Sequence, residues 1–141
     1  MLEKFFKKKK NKSPDSKNVL IIALLIHAAK IDENYTENEK KIIKKVIIDL
    51  NKTDSNQADE LLKLAEKKEE ESNQIIEFTK EIKKYSMEFK LKIVEIIWKI
   101  VYSDGTSDDY ESNLIRRICG LLYISDKDNG IIKAKVINLS K

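Results

Sequence analysis

Two segments of the chain, residues 19–50 and 91–122, share one pattern. In each, an apolar run of helical length ends at an acid, a short polar turn follows, and a second helix begins at an acid-rich cap. The acids of the two turns, Asp32 and Asp104, are 72 residues apart. A repeat of this kind predicts a duplicated helical hairpin with an approximate internal two-fold, because each half can cover the exposed apolar face of the other.

The second helix of each hairpin begins at a capping motif. Thr36 and Glu39 have the form Ser/Thr-x-x-Glu, and Asp108 and Glu111 repeat that spacing 72 residues later. In such a box the Glu side chain accepts a hydrogen bond from the backbone N–H of the cap residue, which stabilises the helix by about 1 kcal/mol. The two Glu residues therefore have a structural role that needs no ligand.

Composition favours an all-α fold of about seven helices. The 141 residues are 41% hydrophobic and contain only three Gly and one Pro, which leaves few turn signals between long apolar stripes. We expect helices over 19–31 and 36–50, a third capped by a loop at 53–57, and a fourth capped by Ser72. Three more are expected over 87–102, capped by Ser86, over 108–122, and over 125–139 with Gly130 inside. Val19 to Ile31 and Met87 to Tyr102 are apolar on nearly every side, which is typical of buried helices.

The charge distribution separates a basic tail from a nearly neutral domain. The formal charge is +4, but residues 1–12 contain six Lys and one Glu, so the remaining chain has a net charge of −1. We therefore predict a tail over 1–16 and one helical domain over 17–140. A nucleic-acid-binding domain normally has its basic stripe on the folded body, so the sequence argues against that function.

The tail has an amphipathic pattern. Leu2, Phe5 and Phe6 lie at helical spacing next to Lys7 to Lys10. Such a segment can lie on an anionic bilayer, or it can be a solvated tail whose Phe pair docks on the domain. The longest apolar run, Val19 to Ile26, is 8 residues, and a membrane span needs about 20. With a single Cys and no pattern of a signal sequence, we expect a cytoplasmic protein, peripheral at the inner membrane face if the tail binds lipid.

The motif around the second turn resembles the TerB-like family, which is named for a tellurite-resistance protein and includes the N-terminal domain of the membrane co-chaperone DjlA. It consists of Ser-Asp-Gly at 103–105, Glu111 seven residues after Asp104, and Ile-Arg-Arg-Ile-x-x-Leu-Leu at 115–122. The similarity covers most of residues 17–140. It implies a seven-helix, pseudo-two-fold domain with acids clustered at the turns. It also implies a non-enzymatic role in divalent-cation binding, stress or tellurite resistance and membrane-associated assemblies, or in protein interaction alone.

We call the turns at residues 32–35 and 103–107 the first and second elbow. The family resemblance makes their acids the candidate metal ligands: Asp104, Asp108 and Glu111, and in the first half Asp32 and Glu39. Oxygen-only ligands would select Ca²⁺ or Mg²⁺. A carboxylate near a helix C-terminus meets the negative end of the helix dipole, so it needs a partner. That partner could also be the N-terminus of the next helix or a nearby Lys or Arg.

The remaining candidates for chemistry have simpler explanations. His27, the single His, lies in an apolar helix and is expected to be a core or rim residue. Cys119 lies among Ile and Leu, which favours an inert packing role. Trp98 and Tyr102 are spaced as core residues of one helix. Since no nucleophile with an adjacent base is identifiable, a metal-dependent hydrolase using paired carboxylates is the less favoured alternative to a non-enzymatic binding module.

Overall fold

The structure is a computed structural model that describes residues 16–30, 35–51, 54–72, 75–103 and 109–139; within these ranges the side chains of 16, 17, 51, 109–112 and 139 are not described. All regular secondary structure in these ranges is α-helical. The helices are α1 (Ser16–Ala29), α2 (Glu37–Asn51), α3 (Ser55–Glu71), α4 (Ile76–Ile82), α5 (Met87–Val101), α6 (Asp109–Leu121) and α7 (Asp126–Leu139). The predicted all-α fold is confirmed.

Side-chain caps start two of these helices, at Ser86 as predicted and at Asp54, so α3 begins at Ser55 inside the segment predicted to be a loop at 53–57. The carboxylate of Asp54 accepts a hydrogen bond from Gln57 N at 2.8 Å and begins α3. Ser86 Oγ accepts one from Phe89 N at 3.2 Å and begins α5. These short polar side chains satisfy N–H groups that have no partner within the helix, so they fix where the helix begins.

The predicted cap at Ser72 is wrong. Ser72 ends α3 instead, with its backbone N–H donating to Glu69 O at 3.3 Å, and α4 begins four residues later after Ile75, which makes no side-chain cap. The Ser72 hydroxyl donates to Glu77 at 2.6 Å, and Lys68 binds the same carboxylate at 2.9 Å. The charged run at the end of α3 remains helical because Lys and Glu are strong helix formers.

The helix α1 lies at the centre of the fold. Residues 21–26 are at most 1% exposed, and α1 contacts five other helices, α2 to α6. This confirms the prediction that its apolar residues on every side are buried. None of the helices in the described ranges is long and apolar enough to cross a membrane.

The packing of the two hairpins has the predicted pseudo-two-fold pattern. Within each hairpin, α1 packs on α2 and α5 packs on α6; across the two, α1 contacts α6 and α2 contacts α5. Ile21 and Ile93 occupy equivalent positions on the two first helices, and both are buried; the same holds for Ile43 and Ile115 on the second helices. Each hairpin therefore covers an apolar face of the other hairpin, which would otherwise be exposed.

The last helix, α7, packs on α5 and completes the second half. Trp98 is 1% exposed, as predicted for a core residue. Its indole Nε1 donates a hydrogen bond to the Asn129 side chain at 2.9 Å. This bond satisfies the buried indole N–H and fixes how α7 lies against α5.

Candidate functional site

At the first elbow, the predicted capping box is present. Thr36 N donates to Glu39 Oε1 at 2.8 Å, and Glu39 N donates to Thr36 Oγ1 at 3.1 Å. The Thr36 hydroxyl also lies 3.1 Å from Glu39 Oε1. The Glu39 residue is 5% exposed. One of its carboxylate oxygens therefore accepts the hydrogen bonds that cap α2. Asp32, the predicted partner of Glu39 in a metal site, lies outside the described residues.

Two basic side chains lie beside the first elbow. Lys30 follows the last residue of α1, and its Nζ lies 2.9 Å from Glu69 Oε2 on α3. The ring centroid of Tyr35 lies 5.9 Å from Lys30 Nζ and 4.9 Å from Lys40 Nζ. A cation in the last turn of a helix interacts favourably with the helix dipole. The end of α1 is therefore stabilised by protein side chains.

The Tyr35 hydroxyl is enclosed at the same elbow. Its oxygen is buried, and no hydrogen-bond partner for it lies in the part of the chain that the structure describes. Burial raises the pKa of Tyr35 far above its usual value, and the negative charge of Glu66 raises it further. The phenol therefore stays neutral in any physiological solution.

The single His lies at the rim of the core, as predicted. His27 Nδ1 lies 3.3 Å from Glu69 Oε1, and its ring centroid lies 6.5 Å from that of Phe78. The acid that orients the imidazole is 42 residues away in the sequence, so no local motif could indicate it. Glu69 therefore joins α3 to His27 of α1 and to Lys30, which follows α1.

At the second elbow, the structure describes the end of α5 and the backbone of α6. Tyr102 N donates to Trp98 O at 2.9 Å and Ser103 N to Ile100 O at 3.2 Å, so the helix closes in its normal way. Asp104 and Asp108 lie outside the described residues, as does the side chain of Glu111. Among the side chains that are described anywhere in the chain, no three His, Cys, Asp or Glu residues come together as a metal site.

The elbows differ in their nearby charges. Between Val101 and Leu114 the sequence contains four acids and neither Lys nor Arg. The first elbow has Lys30 before it and Lys40 in the helix after it, and both ammonium groups lie close to the Tyr35 ring. Basic residues therefore flank the first elbow, whereas the sequence of segment 102–113 contains none.

A groove between α5 and α7 has a volume of about 760 Å³. Its floor and walls include Phe89, Leu91 and Ile132, and its rim includes Ile131, which is 58% exposed. Sequence reasoning missed this groove, because it depends on the angle at which α7 crosses α5.

Glu95 lies in that groove and binds three lysines. Lys135 Nζ on α7 donates to Glu95 Oε1 at 2.7 Å, while Lys99 and Lys92 on α5 lie 3.5 and 3.7 Å from Oε2. The hydrogen bond from Lys135 is the main reason that the pKa of Glu95 is held below its usual value. The two lysines on α5 have the spacing of helix ion pairs, which sequence can indicate. No helical spacing indicates the bond between Lys135 and Glu95, which are 40 residues apart.

Comparison with known proteins gives one family. A family model described as "Tellurite resistance protein TerB" matches residues 18–134, which is most of the chain. No curated protein and no solved structure matches the chain. The match covers both hairpins and most of α7, and it agrees with the all-α, seven-helix architecture and with the motif at the second elbow. The chain belongs to the TerB family.

Proposed function

We propose that this chain is a non-enzymatic binding module of the TerB family whose second elbow binds a divalent cation. The observation that supports this proposal most is the charge difference between the elbows. The first elbow has Lys30 and Lys40 beside it, whereas the segment between Val101 and Leu114 contains four acids and no basic residue. An external cation would compensate these four acids.

The ligands in this proposal are oxygen atoms. Asp104 follows the C-terminus of α5 in the sequence, where the helix dipole disfavours a negative charge by about 0.3 to 1 kcal/mol, and Asp108 and Glu111 have the spacing of a capping box for the next helix. Carboxylates without His or Cys favour hard cations, so Ca²⁺ or Mg²⁺ is the expected ligand. Asp32 and Glu39 are the weaker site in this proposal, because Glu39 is already used by the capping box.

Thermal melts with chelator and with millimolar Ca²⁺ or Mg²⁺ test the proposal. A ligand that binds only the folded chain stabilises it by about 2.7 kcal/mol at a concentration of 100 Kd, so the melting temperature of the native chain should rise. Asp104→Asn should abolish that increment, while the matched change Asp32→Asn at the first elbow should preserve it. A native chain whose melting temperature is the same with chelator and with cation would refute cation binding.

The groove between α5 and α7 supports a second candidate, an interaction domain that binds a helix of a partner protein. Its volume of about 760 Å³ and the exposed Ile131 on its rim are the favouring observations. This is the role implied by the resemblance to the DjlA N-terminal domain. A photo-crosslinker at residue 131 should give a discrete adduct in cells, whereas the same group at the exposed Leu64 on α3 should not. Identical adducts from both positions would argue against a specific groove.

A further inference from the structure

Three side chains from different parts of the fold meet at the turn between α6 and α7. Lys83 follows α4, Lys90 lies in the first turns of α5, and Tyr123 lies in the turn itself. The Tyr123 ring centroid lies 5.0 Å from Lys83 Nζ and 5.9 Å from Lys90 Nζ. Tyr123 is nevertheless 71% exposed, so the two ammonium groups surround a ring that faces solvent.

The backbone of Tyr123 is in a conformation that favours glycine. Its φ is 62°, and it is the only non-Gly residue in the described ranges with a positive φ. Ile124 N donates to Cys119 O at 2.8 Å and Tyr123 N to Gly120 O at 3.3 Å, which closes α6 with a residue in the left-handed region. A Cβ in this region is unfavourable. Core packing does not explain the tyrosine, because its side chain is exposed.

Lys90 has a buried stem and a charged end that reaches solvent. The residue is 7% exposed, but its Nζ is not among the buried side-chain atoms that lack a hydrogen-bond partner, so the ammonium group is accessible to water and to a ligand. In the described part of the chain the ion pairs of the neighbouring lysines join Lys84 to Glu81 and Lys92 to Glu95, and neither a carboxylate nor another hydrogen-bond acceptor contacts Lys90 Nζ. Its one polar contact among these residues is the ring of Tyr123.

We propose that Lys83, Lys90 and Tyr123 form a binding site for a phosphoryl anion. Two ammonium groups, neither with an acidic partner among the described side chains, supply the positive charge. Lysine binds phosphate oxygens as a point charge with up to three donors. The Tyr123 hydroxyl adds a further donor on an exposed ring that its left-handed backbone orients. The left-handed backbone closes α6 and thereby fixes where the ring lies. The phosphoryl group can belong to a free phosphate ester or to the headgroup of an anionic lipid.

Amide chemical shifts during titration with inorganic phosphate, at constant ionic strength, test the site. The amides of Lys83 and Tyr123 should shift and saturate in the full chain. Lys90→Gln should weaken binding about tenfold or more, as expected for loss of one charged hydrogen bond. Lys45→Gln, which removes an exposed lysine from α2, should leave the dissociation constant unchanged.

Tyr123→Gly separates binding from folding. Glycine tolerates the left-handed conformation, so this variant should melt at or above the temperature of the native chain. It should nevertheless lose phosphate binding, because the ring and its hydroxyl are gone. A Tyr123→Gly variant that binds phosphate as tightly as the native chain would overturn the site as described.

Vesicles distinguish the two sources of the phosphoryl group. Sedimentation compares vesicles of phosphatidic acid in phosphatidylcholine with vesicles of phosphatidylcholine alone, using the native chain and the three variants. All four proteins retain the basic tail, so its contribution is equal. Loss of phosphatidic acid binding in Lys90→Gln and Tyr123→Gly, but not in Lys45→Gln, identifies a lipid headgroup. Unchanged vesicle binding together with lost phosphate binding identifies a free phosphate.

The proposal is wrong if the native chain shows no saturable phosphate shift and all proteins sediment alike, or if Lys45→Gln loses as much binding as Lys90→Gln.

Discussion

Replacing Glu95 by Gln removes one negative charge that faces three lysines on two helices. The Glu95 side chain is 11% exposed and Lys135 Nζ lies 2.7 Å from it, so this hydrogen bond is partly shielded from water. A hydrogen bond to a charged group contributes about 1.5 to 3 kcal/mol, and an exposed ion pair about 0 to 1 kcal/mol. The Lys135 side chain is 60% exposed, which places the expected loss between these ranges. We expect Glu95→Gln to lower the free energy of unfolding by about 1 to 2 kcal/mol at pH 7.

Urea denaturation across a pH series measures this effect. The pKa of Glu95 in the folded chain lies below its usual value because Lys135 and its neighbours stabilise the carboxylate. Its contribution is therefore fully present above the unfolded pKa of about 4.3 and is lost as the pH falls through the folded value. The native chain and the variant should converge in strongly acidic solution. Glu60→Gln, at an exposed position on α3, is the matched control and should change stability by less than about 0.5 kcal/mol. Equal stability of native and Glu95→Gln proteins at pH 7, or a difference that does not change with pH, would refute this account.

Three further results are expected. Gly130→Ala should raise the free energy of unfolding by about 0.5 to 1 kcal/mol in urea titrations, because Gly130 lies inside α7 and a Cβ there meets no atom within 4 Å; a loss of stability would contradict that open space. Cys119 is 1% exposed and burial raises its thiol pKa to about 12, so a thiol reagent at pH 8 should modify it only on unfolding, and rapid modification of the folded chain would contradict this. If the tail anchors the chain, deletion of residues 1–12 should abolish sedimentation with anionic vesicles at low salt, and equal sedimentation of both proteins would exclude that role.

The sequence predicts the helices well because their signals are local. The capping box of Thr36 and Glu39 spans four residues, and its hydrogen bonds form as the spacing predicts. The burial of α1 follows from apolar residues on every side. Ser72 is the exception, since a Ser after a charged run can either end one helix or begin the next. The start of α4 also depends on a contact between helices, because Lys68 of α3 binds Glu77 of α4.

The polar contacts between helices could not be predicted. Glu69 and His27 are 42 residues apart, and Lys135 and Glu95 are 40 residues apart. Such pairs depend on the angles at which helices cross, which helical periodicity does not specify. The left-handed conformation of Tyr123 could not be predicted from the sequence for a different reason. Glycine is the usual signal for a helix end of this kind, and this turn has a tyrosine in its place.

The two halves share their apolar positions but differ in their charged contacts. This difference predicts how many cations one chain binds. In the first half, Lys30 after α1 binds the acid Glu69 of α3; in the second, the acid Glu95 of α5 binds the cation Lys135 of α7. The ion pairs between helices are therefore not repeated in the two halves, although the acids in the sequence of the elbows are. If cations bound wherever the motif occurs, calorimetric titration with Ca²⁺ or Mg²⁺ would find two sites per chain. Because Lys30 and Lys40 already lie at the first elbow, repulsion disfavours a further cation there, and we expect one site, which Asp104→Asn removes. Two sites of equal affinity would show that these lysines do not determine cation binding at the elbows.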